Sequence, residues 1–227
     1  EAPGNERDLG VIMHPKLIYN KHHLAILAKA SQKLGLIKRN CSITTCRKGR
    51  KTLYLSLVRS LFEHCSQVWR PTTTTQIQKF ERLQKKAVKW VLNETYCRYS
   101  DREYLEKLKG LDILPLDLKF ELNDMTLFHK IFYDMSVLKF PSYIVRQTDD
   151  AARSHFQRQT RKFNDSDRLK LKSTIAPKVE AFKNSYFYRS LNFWNSLPLE
   201  IRSIESSSLF KIRVKGHLWS IAEGKIQ

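Results

Sequence analysis

The chain has 227 residues, enough to bury a core in one large or two small domains, and its 41% hydrophobic and 11% aromatic content is globular, not disordered. Forty-one Lys/Arg against 22 Asp/Glu give a formal net charge of +19, which points to a polyanionic partner. No apolar run approaches the roughly 18 residues of a membrane span, and seven Gly and seven Pro are few for an all-β protein with many tight turns.

Glu1 to Glu6 show neither the basic start nor the apolar centre of a signal peptide, and without an initiator Met the chain reads as one that begins mid-protein. Leu9 to Met13 is a strand candidate ended by His14-Pro15. A helix follows from about Asn20 to Ile37, with Leu24, Leu27, Ala28, Ser31, Leu34 and Ile37 at helical spacing. Its adjacent His22 and His23 diverge in direction and are expected on the surface. After a turn at Arg39 to Ser42 and a basic loop Arg47 to Lys51, a second helix is expected near Thr52 to Cys65, broken by Trp69-Arg70-Pro71.

The third helix, about Thr74 to Leu92, has the clearest pattern. Ile77, Phe80, Gln84, Ala87, Val88 and Val91 fill one arc, and Lys79, Arg82, Lys85, Lys86 and Lys89 fill the opposite one. Glu81 lies at the margin, so no acid is expected to neutralise that basic side, and uncompensated cations on one face cost helix stability. Ser100-Asp101-Arg102-Glu103 forms a capping box for a helix to about Gly110, and Pro115 opens a longer helix through Phe132. Between Pro141 and Ile175 the pattern dissolves into a linker or loop containing Asp149-Asp150 and the basic run Arg158 to Lys172. A last unit follows, with helix Pro177 to Ser196, a stop at Leu197-Pro198, and a terminal helix. Ser206 to Ser208 supply its possible caps, and Leu209, Phe210, Val214 and Leu218 its buried side.

Thirteen Lys/Arg and two acids, Glu63 and Glu81, lie between Lys38 and Trp90, which is +11 of the total charge. The regular apolar spacing in the same stretch marks it as folded surface suited to phosphate contact. The sequence carries no Gly-rich phosphate loop, no His-Glu-x-x-His and no Gly-x-Ser-x-Gly. Asp149-Asp150 lacks the flanking apolar strands that hold a metal-binding pair on a tight turn, and reads as solvated loop. Cys41, Cys46, Cys65 and Cys97 read as reduced, half-buried thiols; the alternative is a zinc site from Cys41, Cys46, His64 and Cys65.

Three ordered segments resemble the downstream part of non-LTR (LINE-type, jockey-like) retrotransposon reverse transcriptases. They are Asp8 to Ile12 with the Ala28-Lys29-Ala30 helix, Tyr54 to Trp69 followed by Ile77 to Lys89, and Phe187 to Pro198 followed by Phe210-Lys211. Together they span about Arg7 to Leu218. His14 stands where the family often has Asp, and Ser60 where it usually has Pro. No Cys-Cys-His-Cys knuckle follows, which fits a jockey-like clade.

The resemblance implies the end of a palm-like strand over 1–18, a helical thumb-like domain over 19–138, a basic linker over 139–176 and a C-terminal helical unit over 177–227. The expected fold is therefore mainly α, a helical bundle preceded by a short strand. The implied function is gripping an RNA template–DNA primer duplex through Lys79, Arg82, Lys85, Lys86 and Lys89, with Arg47, Lys48, Arg50 and Lys51 beside them. The family's metal-binding carboxylates and endonuclease would lie upstream. Mg would belong to that missing palm, no cofactor is expected in this chain, and the missing domains are expected partners. Nuclear placement follows only from the resemblance. The alternatives are a self-standing helical nucleic-acid-binding protein derived from such an element, and a non-functional remnant.

Overall fold

The structure, a computed structural model, describes residues 6–41, 45–94, 96–146 and 169–224. It is mainly helical, with two short strand pairs, and it divides into two units: Glu1–Phe120 with Trp219–Gln227, and Glu121–Leu218. Among the described residues no helix is long and apolar enough to cross a membrane.

The first unit opens with a hairpin in place of a single strand. Strands β1 (Glu6–Asp8) and β2 (Val11–Met13) pair antiparallel, Asp8 opposite Val11. Leu9 and Gly10 between them both have positive φ, 44° and 88°. Two central residues at positive φ are what a tight two-residue hairpin turn requires, and Gly10 supplies one at no steric cost. The expected strand Leu9 to Met13 is corrected accordingly.

Helix α1 (Asn20–Asn40) packs on the helices that follow through Leu34 and Ile37 as expected, but its first half turns in a different side from the expected one. His22, His23, Ala30, Leu34 and Ile37 are buried, whereas Leu24, Ala28 and Ser31 are exposed. The histidines are therefore core residues, not a surface pair. Trp69 explains the choice: both rings pack edge-on against its indole, and His23 Nε2 bonds its carbonyl at 2.7 Å. Imidazoles with a wide aromatic neighbour and backbone partners are cheaper to bury than their polarity suggests.

The second helix starts earlier than its apolar spacing indicates. Helix α2 (Arg47–Leu53) takes in the expected basic loop, with Cys46 Sγ as its cap accepting from Gly49 N at 3.4 Å. It runs into a π-helical segment, Tyr54–Arg59, and then α3 (Ser60–Glu63). Thr52, Ser56 and Ser60 hydroxyls each donate to the carbonyl four residues back, at 3.1, 2.8 and 2.6 Å. Hydroxyls competing for ladder carbonyls loosen the helical repeat, and the extra π residue is accommodated there. Cys65 then adopts φ 51° and ends the run, ahead of α4 (Ser66–Trp69).

Helices α5 (Thr74–Leu92), α6 (Asp101–Gly110) and α7 (Leu116–Phe132) follow the sequence pattern closely. The capping box forms, Ser100 and Glu103 each holding the other's backbone N–H. Trp69, Phe62, Phe80 and Phe120 pack in one aromatic cluster at the centre of this unit.

A polar network runs through the same interior. Gln84 Oε1 accepts from Tyr54 Oη at 2.9 Å and from Arg59 Nη1 at 2.8 Å, while Gln84 Nε2 donates to Glu81 Oε1 at 2.9 Å and to the Leu114 carbonyl at 3.2 Å. All four bonding positions of that amide are filled. Arg59 also bonds Glu63 and the Leu114 carbonyl, and Glu63 is bridged to Lys119. Glu81 accepts from Tyr104 Oη at 2.5 Å and Leu116 N at 2.8 Å. Burial pushes the Glu81 carboxyl above its ordinary range and the Tyr104 phenol well above its own.

The second unit is built around Phe128, Phe132, Trp194 and Phe210. Strands β3 (Ile144–Arg146) and β4 (Leu171–Ser173) pair antiparallel at the ends of the expected linker, which corrects the view of that whole region as loop. Asp149-Asp150 and the part of the basic run before Leu169 lie outside the described residues. The long helix expected from Pro177 to Ser196 is two: α8 (Glu180–Lys183) and α9 (Tyr186–Ser196), broken at Ser185, whose hydroxyl donates back to the Phe182 carbonyl at 2.7 Å. Asn195 grips β4 through its amide, accepting from Leu171 N at 3.1 Å and donating to Leu171 O at 2.7 Å, and Trp194 Nε1 bonds the Leu169 carbonyl at 2.9 Å. Asp124, fully buried, receives Arg189 at 2.8 and 3.3 Å. After α10 (Leu199–Arg202), α11 (Ser207–Gly224) buries Phe210, Val214, Leu218 and Ala222, with Leu209 exposed instead of buried.

Candidate nucleic-acid interface

Helix α5 carries the cation face that its sequence pattern marks out. Thr73 Oγ1 caps it by accepting from Gln76 N, and Asn93 closes it in the left-handed region at φ 62° while Glu94 N–H bonds back to Lys89 O at 2.8 Å. Its buried stripe is Phe80, Leu83, Gln84, Ala87, Val88 and Val91. This matches the expected arc except that Leu83 enters and Ile77 is only half-buried.

The five cations on the other side do not form one set. Lys79, Arg82 and Lys86 are exposed, and among the described residues no carboxylate pairs with them. Lys85 and Lys89 instead bend toward the segment after α5. Lys85 Nζ donates to the Tyr99 carbonyl at 3.3 Å, lies 3.8 Å from Asp101 and sits 5.0 Å from the Tyr104 ring centre. Lys89 Nζ lies 5.3 Å from the Tyr99 ring centre. The expectation that no acid attends this face is corrected for Lys85. Aromatic faces and one carboxylate, all supplied by residues 99–104, hold these two cations.

The cations of α2 separate as well. Arg47 and Lys48 are exposed and Lys51 is half-buried, but Arg50 is buried and donates to the Trp90 carbonyl at 3.2 Å. Arg50 ties α2 to α5 and is not placed to meet a phosphate. A half-buried residue that sequence reasoning missed stands beside the exposed group. Lys38, at the end of α1, has its pKa lowered by burial and by the nearby Lys86 ammonium. The two are 48 positions apart, so only their shared basic stretch hinted at it.

Other candidate chemistry resolves into structure. Cys41 N bonds the Ile37 carbonyl at the end of α1, and Cys46 caps α2. His64 Nε2 and Cys65 Sγ, expected to diverge along a helix, meet at 3.5 Å because the helix ends at Cys65. The four cysteines are free thiols, and among the described residues no group of three or more His, Cys, Asp or Glu is arranged to hold a metal ion.

The exposed ridge has a simple chemistry. Lys79 to Lys86 spans about 10 Å of helix, a length over which a duplex carries about six backbone charges. Cations without carboxylate partners on a rigid helix can meet phosphates without first breaking an ion pair. Set against family models, curated proteins and solved structures, the chain finds no match in any of the three.

Proposed function

We propose that the chain is the thumb-like and C-terminal part of a non-LTR retrotransposon RNA-directed DNA polymerase, gripping the template–primer duplex by phosphate contacts while catalysis belongs to another domain. The observation that carries the grip is the ridge Lys79, Arg82 and Lys86, with Lys38 crowded against Lys86. Like charges gathered with no acid between them destabilise the free protein, and a polyanion relieves that cost. The polymerase assignment rests on the ordered resemblance of the three segments. Exposed Leu17, Ile18 and Leu24 around the start of α1 favour a chain that works with a further domain over a self-standing one.

Phosphate contacts position a duplex without reading its sequence, so affinity should vary little with base composition. The test is binding to an RNA–DNA duplex across a salt series. Each cation that meets a phosphate contributes about −0.9 to the slope of log K against log salt. Weak binding that is flat in salt would overturn the reading.

A further inference from the structure

The hairpin of β1 and β2 is fastened to the helices by two imidazoles. Its turn pairs Asp8 with Val11, and because ladder bonds alternate in an antiparallel pair, the Ile12 N–H points away from β1. That N–H donates to His22 Nδ1 at 3.2 Å. At the turn, the Leu9 carbonyl meets His64 Nε2 at 3.1 Å. Of residues 6–13 only Val11 is buried, at 4% exposure. An element held by so few contacts opens at a smaller cost than the helices, whose interior carries the aromatic cluster and the Gln84 network.

The two fastenings answer differently to acid. A carbonyl only accepts, so His64 Nε2 carries a proton in its bond to Leu9, and it donates whether the ring is neutral or charged. His22 is the reverse. Its Nδ1 accepts from a backbone N–H, so that nitrogen is bare and Nε2 carries the proton, buried and without a partner. A second proton can go only to Nδ1, where it meets the Ile12 N–H. Two donors then face each other where a bond stood. The charge would be enclosed as well, since His22 is 3% exposed with the Trp69 indole against its ring.

The surroundings oppose that charge. Arg7 from β1, His64 from the end of α3 and His23 beside it on α1 all disfavour a further cation. Strand β1 also carries Glu6 and Asp8, both exposed, and β2 brings no ionisable side chain. Burial, the largest cause, and the three cationic neighbours lower the His22 pKa to about 4. Lifting the hairpin off takes Arg7 away and lets water reach the ring, so release favours the charged form.

We propose that the hairpin Glu6–Met13 is an acid-released clasp: protonating His22 frees it from α1 while the helices stay folded. Its hold is complete above pH 6.5, the ordinary pKa of the imidazole, and weakens as pH falls toward 4. The device does not rest on the duplex reading, because it needs no ligand.

The test is an acid titration of the ¹⁵N-labelled full chain, following the Val11 and Ile12 amides against those of Ala87 and Val88 in α5. The hairpin amides should move to unstructured positions in a one-proton transition with a midpoint between pH 4 and 6.5, while the α5 amides stay in place. H22N sets an amide oxygen near the position of Nδ1. It accepts from Ile12 without titrating, so its hairpin should stay docked until the helices unfold. H64A lies at an exposed position and removes the Leu9 bond. One lost hydrogen bond weakens docking about tenfold, which raises a one-proton midpoint by about one pH unit. The proposal is overturned if the hairpin and α5 signals move together, if H22N releases its hairpin at the same pH as the unmodified chain, or if H64A leaves the midpoint unchanged.

Discussion

The same basic stretch holds two kinds of cation. Arg50 and Arg59 point inward: one bonds the Trp90 carbonyl, the other Gln84, Glu63 and the Leu114 carbonyl. Lys79, Arg82 and Lys86 stand outside with no described carboxylate beside them. Arginine's planar fork suits several fixed acceptors at once, and Arg50 and Arg59 use it, but exposed Arg82 shows that position and not residue type makes the division. Composition alone counts these charges together. Only their partners separate the cations that hold the protein from those free to hold something else.

The comparison breaks most visibly at Arg59. Arg59→Met should cost about 3–5 kcal/mol, because it removes a charged donor from Gln84, Glu63 and the Leu114 carbonyl at once and leaves each with its other partners alone. Urea unfolding measures this, and a loss under about 1 kcal/mol would show that the network is not what holds these helices.

Acid should act next, again through the interior. His22 is held neutral down to about pH 4 by burial and by the nearby His23, His64 and Arg7. Its folded pKa lies below the unfolded value of 6.5, so its contribution is fully present above pH 6.5 and is lost as pH falls toward 4. The loss should reach roughly 3 kcal/mol, read as a falling Tm that His22→Asn makes shallower, with buried His23 and His129 supplying the remainder. If the Tm of the unmodified chain is level across that window, His22 is not buried neutral.

The exposed set should behave oppositely. Replacing Lys79, Arg82 and Lys86 together by Ala should change stability by no more than about 0.5 kcal/mol. It should also make the salt slope of duplex binding shallower by about 2.7. An unchanged slope places the grip elsewhere. The smallest effect sharpens the contrast further: Lys86→Gln should stabilise the free chain by a few tenths of a kcal/mol, since it removes the repulsion with Lys38. A destabilised Lys86→Gln would mean that the crowding carries no strain.

Helices with caps and a clean periodicity were legible. Helix α5 begins and ends where its pattern says, and Ser100 with Glu103 announces α6. What escaped was set by partners distant in sequence. Nothing local to His22 and His23 says that Trp69 will cover them, and that contact turns α1 away from its Leu24–Ala28 side. The hairpin is written in Leu9-Gly10, but three-residue strands are too short for an alternation to register. The segments that resemble a polymerase turn out to be rich in interior contacts: Tyr54, Arg59, Glu63, Glu81 and Gln84 form the buried network, and Trp194 and Asn195 secure β4. Of the candidate site, the cation face was legible as a face. Its division was not, because it depends on Tyr99, Asp101 and Tyr104 beyond the helix.

The π-helical segment Tyr54–Arg59 holds one residue more than an ordinary helix needs to cover the same turn. In an ordinary helix, a gain or loss of one residue is an error of phase that turns everything beyond it by about 100° about the axis. Here the loss of one residue, Ser56 for example, would let the segment return to the ordinary repeat with both flanks still in phase. Tyr54 and Arg59, which now both reach Gln84, would stand four apart instead of five and still share a face. A further insertion, by contrast, would disconnect the two halves of the helix from the same partner at once.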